Sequence, residues 1–406
     1  MKRSKIFNDP VYGFISLQSP KVFEIVEHPW FQRLRRIKQL GLSSYVYPGA
    51  IHTRFQHALG TVHLMQQALG VLSNKGNEIT EEEAEAACIA ILLHEIGHGP
   101  YSHALEHSLA DGIDHEALSL QFMEALNIEL GGMEMAISIF KGEYHKRFLH
   151  QLVSSQLDVD RLDYLTRDTY FTGVHEGKIG WNRIIDMMDV KEDELVIEAK
   201  GIYSIEKFII ARRIMYWQVY LHKTVLCAEQ MLIKTIKRAR ALAGKGVELN
   251  GTPPLLWMMY EWPKIKKKEE GSSTFLQHFA NLDDTDILSA LKSWQFHEDK
   301  VLAHLSSAIL HRKLFKIKMQ NEAFEIEEVN KIKTQVAASF ELNSEELEYM
   351  CLHDETSNAA YNPDFKHINI LYKDGSIKDV AAASDQLNIR VLSDPVIKHY
   401  ICYPKN

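Results

Sequence analysis

The stretch "LLHEIGHGPYSH", residues 92–103, places three histidines and a glutamate at the end of an apolar run and then breaks the chain with Gly-Pro. In the preceding "EEEAEAACIAIL", small and apolar residues recur at helical spacing, which predicts a helix over 80–98 whose buried face includes His94 and His98. Imidazole and carboxylate groups in an apolar interior are costly unless they are hydrogen-bonded, paired or bound to a metal. The segment is therefore predicted to be a functional site inside a helical core.

Length and composition narrow the class of protein. The 406 residues suffice for a main domain with further lobes. The four cysteines show no C-x-x-C spacing, which favours a reducing, cytoplasmic setting over a disulfide framework or a cysteine zinc site. No apolar run approaches the roughly 20 residues that span a bilayer. The net charge of −8 disfavours a nucleic-acid-coating role. We therefore expect a cytoplasmic protein that neither inserts into a membrane nor binds nucleic acid.

The order of sequence patterns predicts a mainly α fold. The opening "KIFNDPVYGFISL" alternates around a turn and predicts a short β-hairpin. Helical periodicity follows over 21–41, 58–74, 80–98, 115–127, 147–168, 179–189, 204–243 and 300–319. The runs "HINILYKDGSIKDV", split by an Asp-Gly turn, and "HYICYPKN" predict strands. We expect a core with the hairpin at 1–245, a helical extension at 246–330 and a small C-terminal α+β lobe at 331–406.

Two more segments share the polar character of the first. They are "HTRFQHALG", with His57, and "SSQLDVDRLDYLTRD", with Asp160. Together with His94 and Glu95 they offer two imidazoles and two carboxylates. That set suits one divalent metal ion, such as Mn, Fe, Ni, Zn or Mg, with positions left open for water and substrate.

The pentapeptide "HEIGH" also fits a different enzyme class. It matches H-E-x-x-H, in which two histidines one helical turn apart bind zinc and the glutamate activates water. A zinc peptidase is therefore one alternative. Against it, Gly99-Pro100 ends the helix at once, and a peptidase leaves "RFQH" and "DVDRLDYLTRD" without a role.

The motifs "RFQH", "HEIGHGPYSH", "DHEALS" and "DVDRLDYLTRD" resemble those of the HD-domain phosphohydrolases. The likeness is closest to the branch that cleaves deoxynucleoside triphosphates, and it runs from "FNDPVYGFI" to "RRIMYWQVYLHKTV". It implies an HD-domain helical core, here expected without a SAM domain. It also implies hydrolysis of a deoxynucleoside triphosphate to deoxynucleoside and triphosphate.

The resemblance assigns roles to individual residues. The metal ligands that it implies are His57, His94, Glu95 and Asp160, with Arg54 supporting the first. Beside the reacting phosphate it places His98, His103, Glu106 and His115, with Glu106 expected to orient a histidine, His103 foremost. Against the sugar and the triphosphate it places Gln39, Leu40, Arg54, Arg161, Tyr164, Asp168, Arg212 and Tyr220. Of these, Gln39 and Asp168 would bind the 3′-hydroxyl, and Tyr164 would pack against C2′.

Glu95 departs from the family pattern, which has aspartate at this position. The extra methylene adds roughly 1.5 Å of reach, whereas metal–ligand distances tolerate about 0.2 Å. A nucleotide-binding regulator with impaired catalysis is therefore a second alternative.

A last group of matches concerns assembly. In the SAM-and-HD-domain branch of the family, the corresponding stretches build a nucleotide-activator site between subunits. The matching residues are Lys5, Asn8, Gln32 and Arg35, and Glu27 replaces an aspartate. We therefore expect a homo-oligomer, dimer or tetramer, with a site for a nucleotide activator.

Overall fold

An N-terminal hairpin opens the fold, as the sequence predicts. The computed structural model describes residues 5–109, 113–269, 272–362, 367–385 and 394–405, without the side chains of residues 102, 103, 107 and 266–269. Strands β1 (Lys5–Asp9) and β2 (Gly13–Leu17) pair antiparallel. Asp9 shapes the turn, because its Oδ1 accepts hydrogen bonds from the backbone N–H groups of Val11 and Tyr12 at 2.9 and 3.0 Å.

The core that follows is built mainly from α-helices, which confirms the predicted fold class. Its elements are α1 (Pro20–Glu27), α2 (Pro29–Gln32), α3 (Arg54–Asn74), α4 (Glu81–Leu93), α5 (Ser102–Leu109), α6 (His115–Leu130), α7 (Glu134–Phe140), α8 (Arg147–Val153), α9 (Val159–Thr172), α10 (Trp181–Asp186), β3 (Met188–Lys191), β4 (Glu194–Glu198), α11 (Ile202–Met215) and α12 (Lys223–Gly244). Helix α3 packs against both α4 and α9. Capping boxes start α3, at Thr53 and Gln56, and α4, at Thr80 and Glu83. These boxes fix which side chains the first turns present.

Helix α4 ends at Leu93, short of the predicted end at residue 98. The Ser119 hydroxyl on α6 explains the early end, because it donates to the carbonyl oxygen of His94 at 2.7 Å and accepts from the Gly97 N–H at 3.0 Å. A Cβ at Gly97 would lie 2.2 Å from backbone of α6, so only glycine fits there. His94 and His98 are nevertheless buried, as predicted.

The predicted helix over 204–243 is interrupted. Helix α11 ends at Met215, residues Tyr216–Tyr220 form a π-helical turn, and α12 begins at Lys223. π-Helical turns are rare and occur frequently at functional sites. Here the turn carries Tyr220, one of the residues predicted to bind substrate.

The remaining elements add helices and complete two further sheets. They are α13 (Pro253–Tyr260), α14 (Trp262–Glu269), α15 (Ser273–Ala280), α16 (Asp284–Trp294), α17 (Lys300–Leu310), β5 (Lys316–Gln320), α18 (Ile326–Ser339), α19 (Ser344–Met350), β6 (Leu352–Asn358), β7 (Asn369–Leu371), β8 (Ile377–Asp379), α20 (Val380–Ala383) and β9 (Val396–Tyr403). The sheet orders are β3-β4-β7-β8 and β5-β9-β6. Strands β7 and β8 form the predicted Asp-Gly hairpin.

One strand lies where the sequence predicts helix. The predicted helix over 300–319 ends at Leu310, and β5 pairs antiparallel with β9 near the end of the chain. A pairing partner so distant in sequence overrides the local periodicity. Among the helices of the described residues, none has both the length and the apolar character needed to cross a bilayer.

Candidate active site

Three polar segments from separate parts of the core meet beside the first turn of α3. His57 lies in that turn, Glu95 follows the end of α4, and Asp160 lies in the first turn of α9. Asp158 caps α9 by accepting a hydrogen bond from the backbone N–H of Arg161 at 2.7 Å. The caps of α3 and α9 therefore fix where His57 and Asp160 emerge.

His57, Glu95 and Asp160, here called the metal cluster, each offer a donor atom within 4.8 Å of the other two. Nε2 of His57 lies 2.9 Å from Oδ1 of Asp160 and 3.6 Å from Oε1 of Glu95. Nδ1 of His94 lies 3.6 Å from the same Glu95 oxygen. The structure thus joins three of the predicted ligands and places the fourth next to one of them.

The electrostatics of the metal cluster favour a cation. Burial raises the pKa of Glu95, but Arg54 and the neighbouring imidazoles outweigh it and hold that pKa well below the usual range. Burial alone would raise the pKa of Asp160, but the hydrogen bond and the charge of His57 lower it below its usual value. For His57, burial favours the neutral ring, yet the surrounding carboxylates raise its pKa well above the usual value. The carboxylates are therefore ionised, and a metal ion would take the place of the proton on His57.

The donor set fits a divalent transition metal ion. Imidazole nitrogens together with carboxylate oxygens suit such ions. Nδ1 of His94 is buried and has no hydrogen-bond partner in the described part of the chain. Buried polar atoms are nearly always satisfied, so a ligand at this position would remove the deficit. His57, His94, Glu95 and Asp160 are the residues that could hold the ion.

Arg54 contacts the metal cluster directly. Its Nη1 donates a hydrogen bond to Oε2 of Glu95. Its Nε and Nη2 atoms are buried and lack partners among the described residues. The guanidinium therefore anchors Glu95 with one nitrogen and has two left for an anionic group.

A pair of histidines adjoins the metal cluster. The rings of His98 and His115 stack with centroids 4.2 Å apart and planes 15° apart. Glu106 orients His115, since its Oε1 accepts hydrogen bonds from Nδ1 at 2.6 Å and from the backbone N–H at 2.8 Å. Burial and the charge of Arg54 hold the pKa of His98 well below its usual value, which keeps this ring neutral. The side chain of His103, on α5, lies outside the described residues.

Asp168 contacts several of the residues that surround it, among which are others predicted to bind the sugar or the triphosphate. Oδ2 of Asp168 accepts a hydrogen bond from the Tyr220 hydroxyl at 2.7 Å, and Oδ1 lies 2.8 Å from Nε2 of His52. The ring of Tyr164 stands edge-on to Tyr220, with centroids 6.1 Å apart. Oε1 of Gln39 is buried and has no partner in the part of the chain that the structure describes. Leu40, next in sequence, is buried.

Two further arginines carry buried nitrogens without partners. Arg161 donates from Nη1 to Asp158, and Arg212 donates from Nη1 to the carbonyl oxygen of Ala360 at 3.2 Å. The Nε atoms of both have no hydrogen-bond partner within the described ranges. Unsatisfied buried atoms therefore occur on five of the predicted site residues: Gln39, Arg54, His94, Arg161 and Arg212. A polar, anionic ligand would satisfy most of them.

The predicted activator residues lie on the hairpin and on the segment around α1 and α2. Lys5 and Glu27 form an ion pair at 2.6 Å, and Arg35 donates to Gln32 at 2.7 Å. Asn8 is exposed on β1. Four of the residues predicted to bind the activator therefore pair with each other within a single chain.

Sequence reasoning did not single out several residues that support the site. Asp163 accepts a hydrogen bond from Nδ1 of His57 at 2.6 Å, and Arg167 grips Asp163. His52 contacts Asp168 and stacks on Phe171 with centroids 4.5 Å apart. Helical spacing could have revealed Asp163, since it follows Asp160 by one turn. No local signal links His52 to Asp168.

The chain is similar to known proteins in sequence and in fold. Residues 179–248 match the family described as the HD associated region. A crystal structure of a phosphohydrolase from Bacteroides thetaiotaomicron superposes with a TM-score of 0.94 at 50% identity, covering 99% of this chain and 100% of that one. The chain belongs to the HD-domain phosphohydrolase family. This membership and the end of α4 at Leu93 remove the support for a zinc peptidase, because His94 and His98 do not sit on successive turns of one helix.

Two relatives show how far the likeness extends. An uncharacterised protein of Mycoplasma pneumoniae is 32% identical over 77% of this chain and 78% of its own length. The deoxynucleoside triphosphate triphosphohydrolase SAMHD1 homolog of Dictyostelium discoideum is 30% identical over 59% of this chain. The match spans 50% of that longer protein. The family is therefore shared, and the resemblance to the triphosphohydrolases covers part of both chains.

Proposed function

We propose that the protein hydrolyses a deoxynucleoside triphosphate to a deoxynucleoside and inorganic triphosphate, using one divalent metal ion. The proposal rests on the buried nitrogens of Arg54, Arg161 and Arg212 that have no partner among the described residues. Arg54 contacts Glu95, and the charges of Arg161, Arg212 and Asp160 all act on the side chain of Tyr164. Guanidinium groups bind phosphate oxygens through charge-assisted hydrogen bonds. The name of the Dictyostelium discoideum relative supports the same substrate class.

Each residue has a distinct task in this reaction. Water attacks the α-phosphorus, the bond between that phosphorus and the 5′-oxygen breaks, and the 5′-oxygen takes up a proton. His57, His94, Glu95 and Asp160 would hold a divalent ion, which would supply Lewis acidity for activating water and neutralising phosphate charge. Arg54 adds positive charge through Nε and Nη2, while Arg161 and Arg212 bind the remaining phosphate oxygens.

The proton for the leaving group comes from His115, one of the two stacked histidines. Glu106 accepts a hydrogen bond from Nδ1 of His115, so that in the imidazolium form the second proton is on Nε2 and is given to the 5′-oxygen. Imidazole is suited to this task because its unperturbed pKa lies near neutrality. His98 packs flat against His115 and limits its rotation.

Product analysis tests the proposal. The protein is loaded in turn with Mn²⁺, Fe²⁺, Ni²⁺, Zn²⁺ or Mg²⁺ and incubated with deoxynucleoside and ribonucleoside triphosphates, and the products are separated by anion exchange. We expect intact triphosphate together with deoxynucleoside, and no turnover in the Asp160→Asn variant. Release of monophosphate or pyrophosphate contradicts the proposal. Tight nucleotide binding without turnover supports the regulator instead.

We further propose a cytoplasmic homo-oligomer, dimer or tetramer, that binds a nucleotide activator at Lys5, Asn8, Glu27, Gln32 and Arg35. The exposed apolar side chains Ile6 and Phe14 on the hairpin, 58% and 73% exposed, support a contact between copies there. Light scattering with and without nucleotide tests this assembly. A monomer that is fully active at low concentration contradicts it.

A further inference from the structure

A buried chain of charged side chains connects the N-terminal hairpin to the metal cluster. Oδ2 of Asp163 accepts a hydrogen bond from Nδ1 of His57 at 2.6 Å. Arg167 forms two hydrogen bonds to the same carboxylate, donated by Nε and Nη2 at 2.9 and 3.0 Å. Nη1 of Arg167 donates to Oδ2 of Asp9 at 2.7 Å. We call these three side chains, Asp9, Arg167 and Asp163, the Asp9 relay. The relay joins two distant parts of the sequence, and Asp163 at its end contacts His57, one of the proposed metal ligands.

The Asp9 relay is held in one arrangement by its surroundings. The side chains of His57, Asp163 and Arg167 are 0% exposed, and that of Asp9 is 5% exposed. Helix α3 leaves room for the relay only because residue 60 is glycine. A Cβ at Gly60 would lie 2.0 Å from Oδ1 of Asp163 and 2.3 Å from Nη2 of Arg167. The backbone of α3 is therefore fitted to this ion pair.

We propose that Asp9 and Arg167 are positioning residues for the metal centre. They fix Asp163, which keeps the proton of His57 on Nδ1 and so directs the lone pair of Nε2 into the metal cluster. The inference rests on the metal centre of the proposed function. It adds that the hairpin turn sets the geometry of a ligand.

The chemistry of arginine explains why the relay can position a ligand. The planar guanidinium directs three of its N–H groups at fixed angles to two carboxylates, which a lysine ammonium cannot do. Carboxylates that orient ligating histidines typically contribute 10- to 100-fold to metal affinity. Weakening the hydrogen bonds from Arg167 to Asp163 should therefore lower the affinity for the metal ion, in addition to any general loss of stability.

A matched pair of variants separates positioning from stability. Arg238 on α12 donates to both carboxylate oxygens of Asp299, at 3.2 and 2.6 Å, and its side chain is 7% exposed. Arg238→Lys therefore makes the same change as Arg167→Lys at a pair that does not contact the metal cluster. The readouts are the affinity for Co²⁺ alone, the visible spectrum of bound Co²⁺ and the melting temperature of the metal-free protein.

We expect both lysine variants to lower the melting temperature. Only Arg167→Lys and Asp9→Asn should weaken Co²⁺ binding, by about 10- to 100-fold. The same two variants should alter the visible spectrum of bound Co²⁺. Folded Arg167→Lys and Asp9→Asn proteins with wild-type affinity and spectrum overturn the inference. If Arg167→Lys does not fold, Asp9→Asn decides, since asparagine keeps the Oδ1 acceptor that shapes the turn. The inference is also overturned if the effects of Arg167→Lys and Asp9→Asn on Co²⁺ affinity simply add in the double variant, since residues that act through one another are not additive. A wild-type protein that binds no Co²⁺ instead refutes the metal centre of the proposed function.

Discussion

Arg54 donates a hydrogen bond from Nη1 to Oε2 of Glu95, and both side chains are buried. The other carboxylate oxygen, Oε1, lies 3.6 Å from a nitrogen of each of His57, His94 and His98. Glutamate thus reaches the arginine with one oxygen and the imidazoles with the other. Aspartate, shorter by roughly 1.5 Å, cannot do both from the same backbone position.

Glu95→Asp is therefore expected to weaken metal binding by about tenfold or more, because the shorter carboxylate must give up either Arg54 or the imidazoles. Calorimetric titration with Co²⁺ measures this. Glu83→Asp is the control, since Glu83 is a buried carboxylate on α4 that pairs with Lys146 at 2.8 Å, outside the site. Unchanged or tighter binding by Glu95→Asp would show that the site accepts the aspartate typical of the family.

Gly60→Ala is expected to destabilise the protein by about 1–3 kcal/mol and to weaken Co²⁺ binding, because the new methyl group overlaps Asp163 and Arg167. Gly70→Ala, on the same helix α3, meets nothing within 4 Å. It should stabilise the protein by about 0.5–1 kcal/mol. Urea denaturation of the metal-free proteins compares the two variants. Equal behaviour of both would contradict the close fit at residue 60.

Local patterns predict much of the fold and less of the site. Apolar periodicity places the start of α4 within one residue of Glu81, but the end of α4 depends on Ser119, whose hydroxyl on α6 donates to the carbonyl oxygen of His94. The motifs identify His57 and Asp160, because polar groups at core positions are conspicuous in a sequence. The contact between Asp9 and Arg167 crosses 158 residues, and such pairings follow from tertiary packing that local periodicity does not encode.

Glu229 should make stability depend on pH. This half-buried glutamate on α12 lies near Gly41 and has no hydrogen bond or ion pair with other described residues. Burial raises its pKa to about 8, against about 4.3 when unfolded. The folded state therefore binds the proton more tightly, and stability falls as pH rises from about 4.3 through 8.

Glu229→Gln removes this titration, because the amide is neutral throughout. The variant should gain melting temperature relative to wild type as the pH is raised from 5 to 9. Glu124→Gln, at an exposed position on α6, is the control and should show no such trend. A constant difference between Glu229→Gln and wild type across this range would contradict the raised pKa.

Asp168 and Tyr164 are expected to decide which sugar the protein accepts. Asp168 is held by Tyr220 and His52, and the ring of Tyr164 stands edge-on to Tyr220. We propose that Tyr164 packs against C2′ of the sugar. A ribose 2′-hydroxyl would have to displace the Tyr164 ring or stay buried without a partner, which costs roughly 1–3 kcal/mol. The parent protein should therefore hydrolyse dGTP about 10- to 100-fold faster than GTP. Tyr164→Ala should reduce this preference by admitting the hydroxyl. Tyr170→Ala, 57% exposed on the same helix, should preserve it. Equal rates for dGTP and GTP in the parent protein would contradict the assigned sugar site.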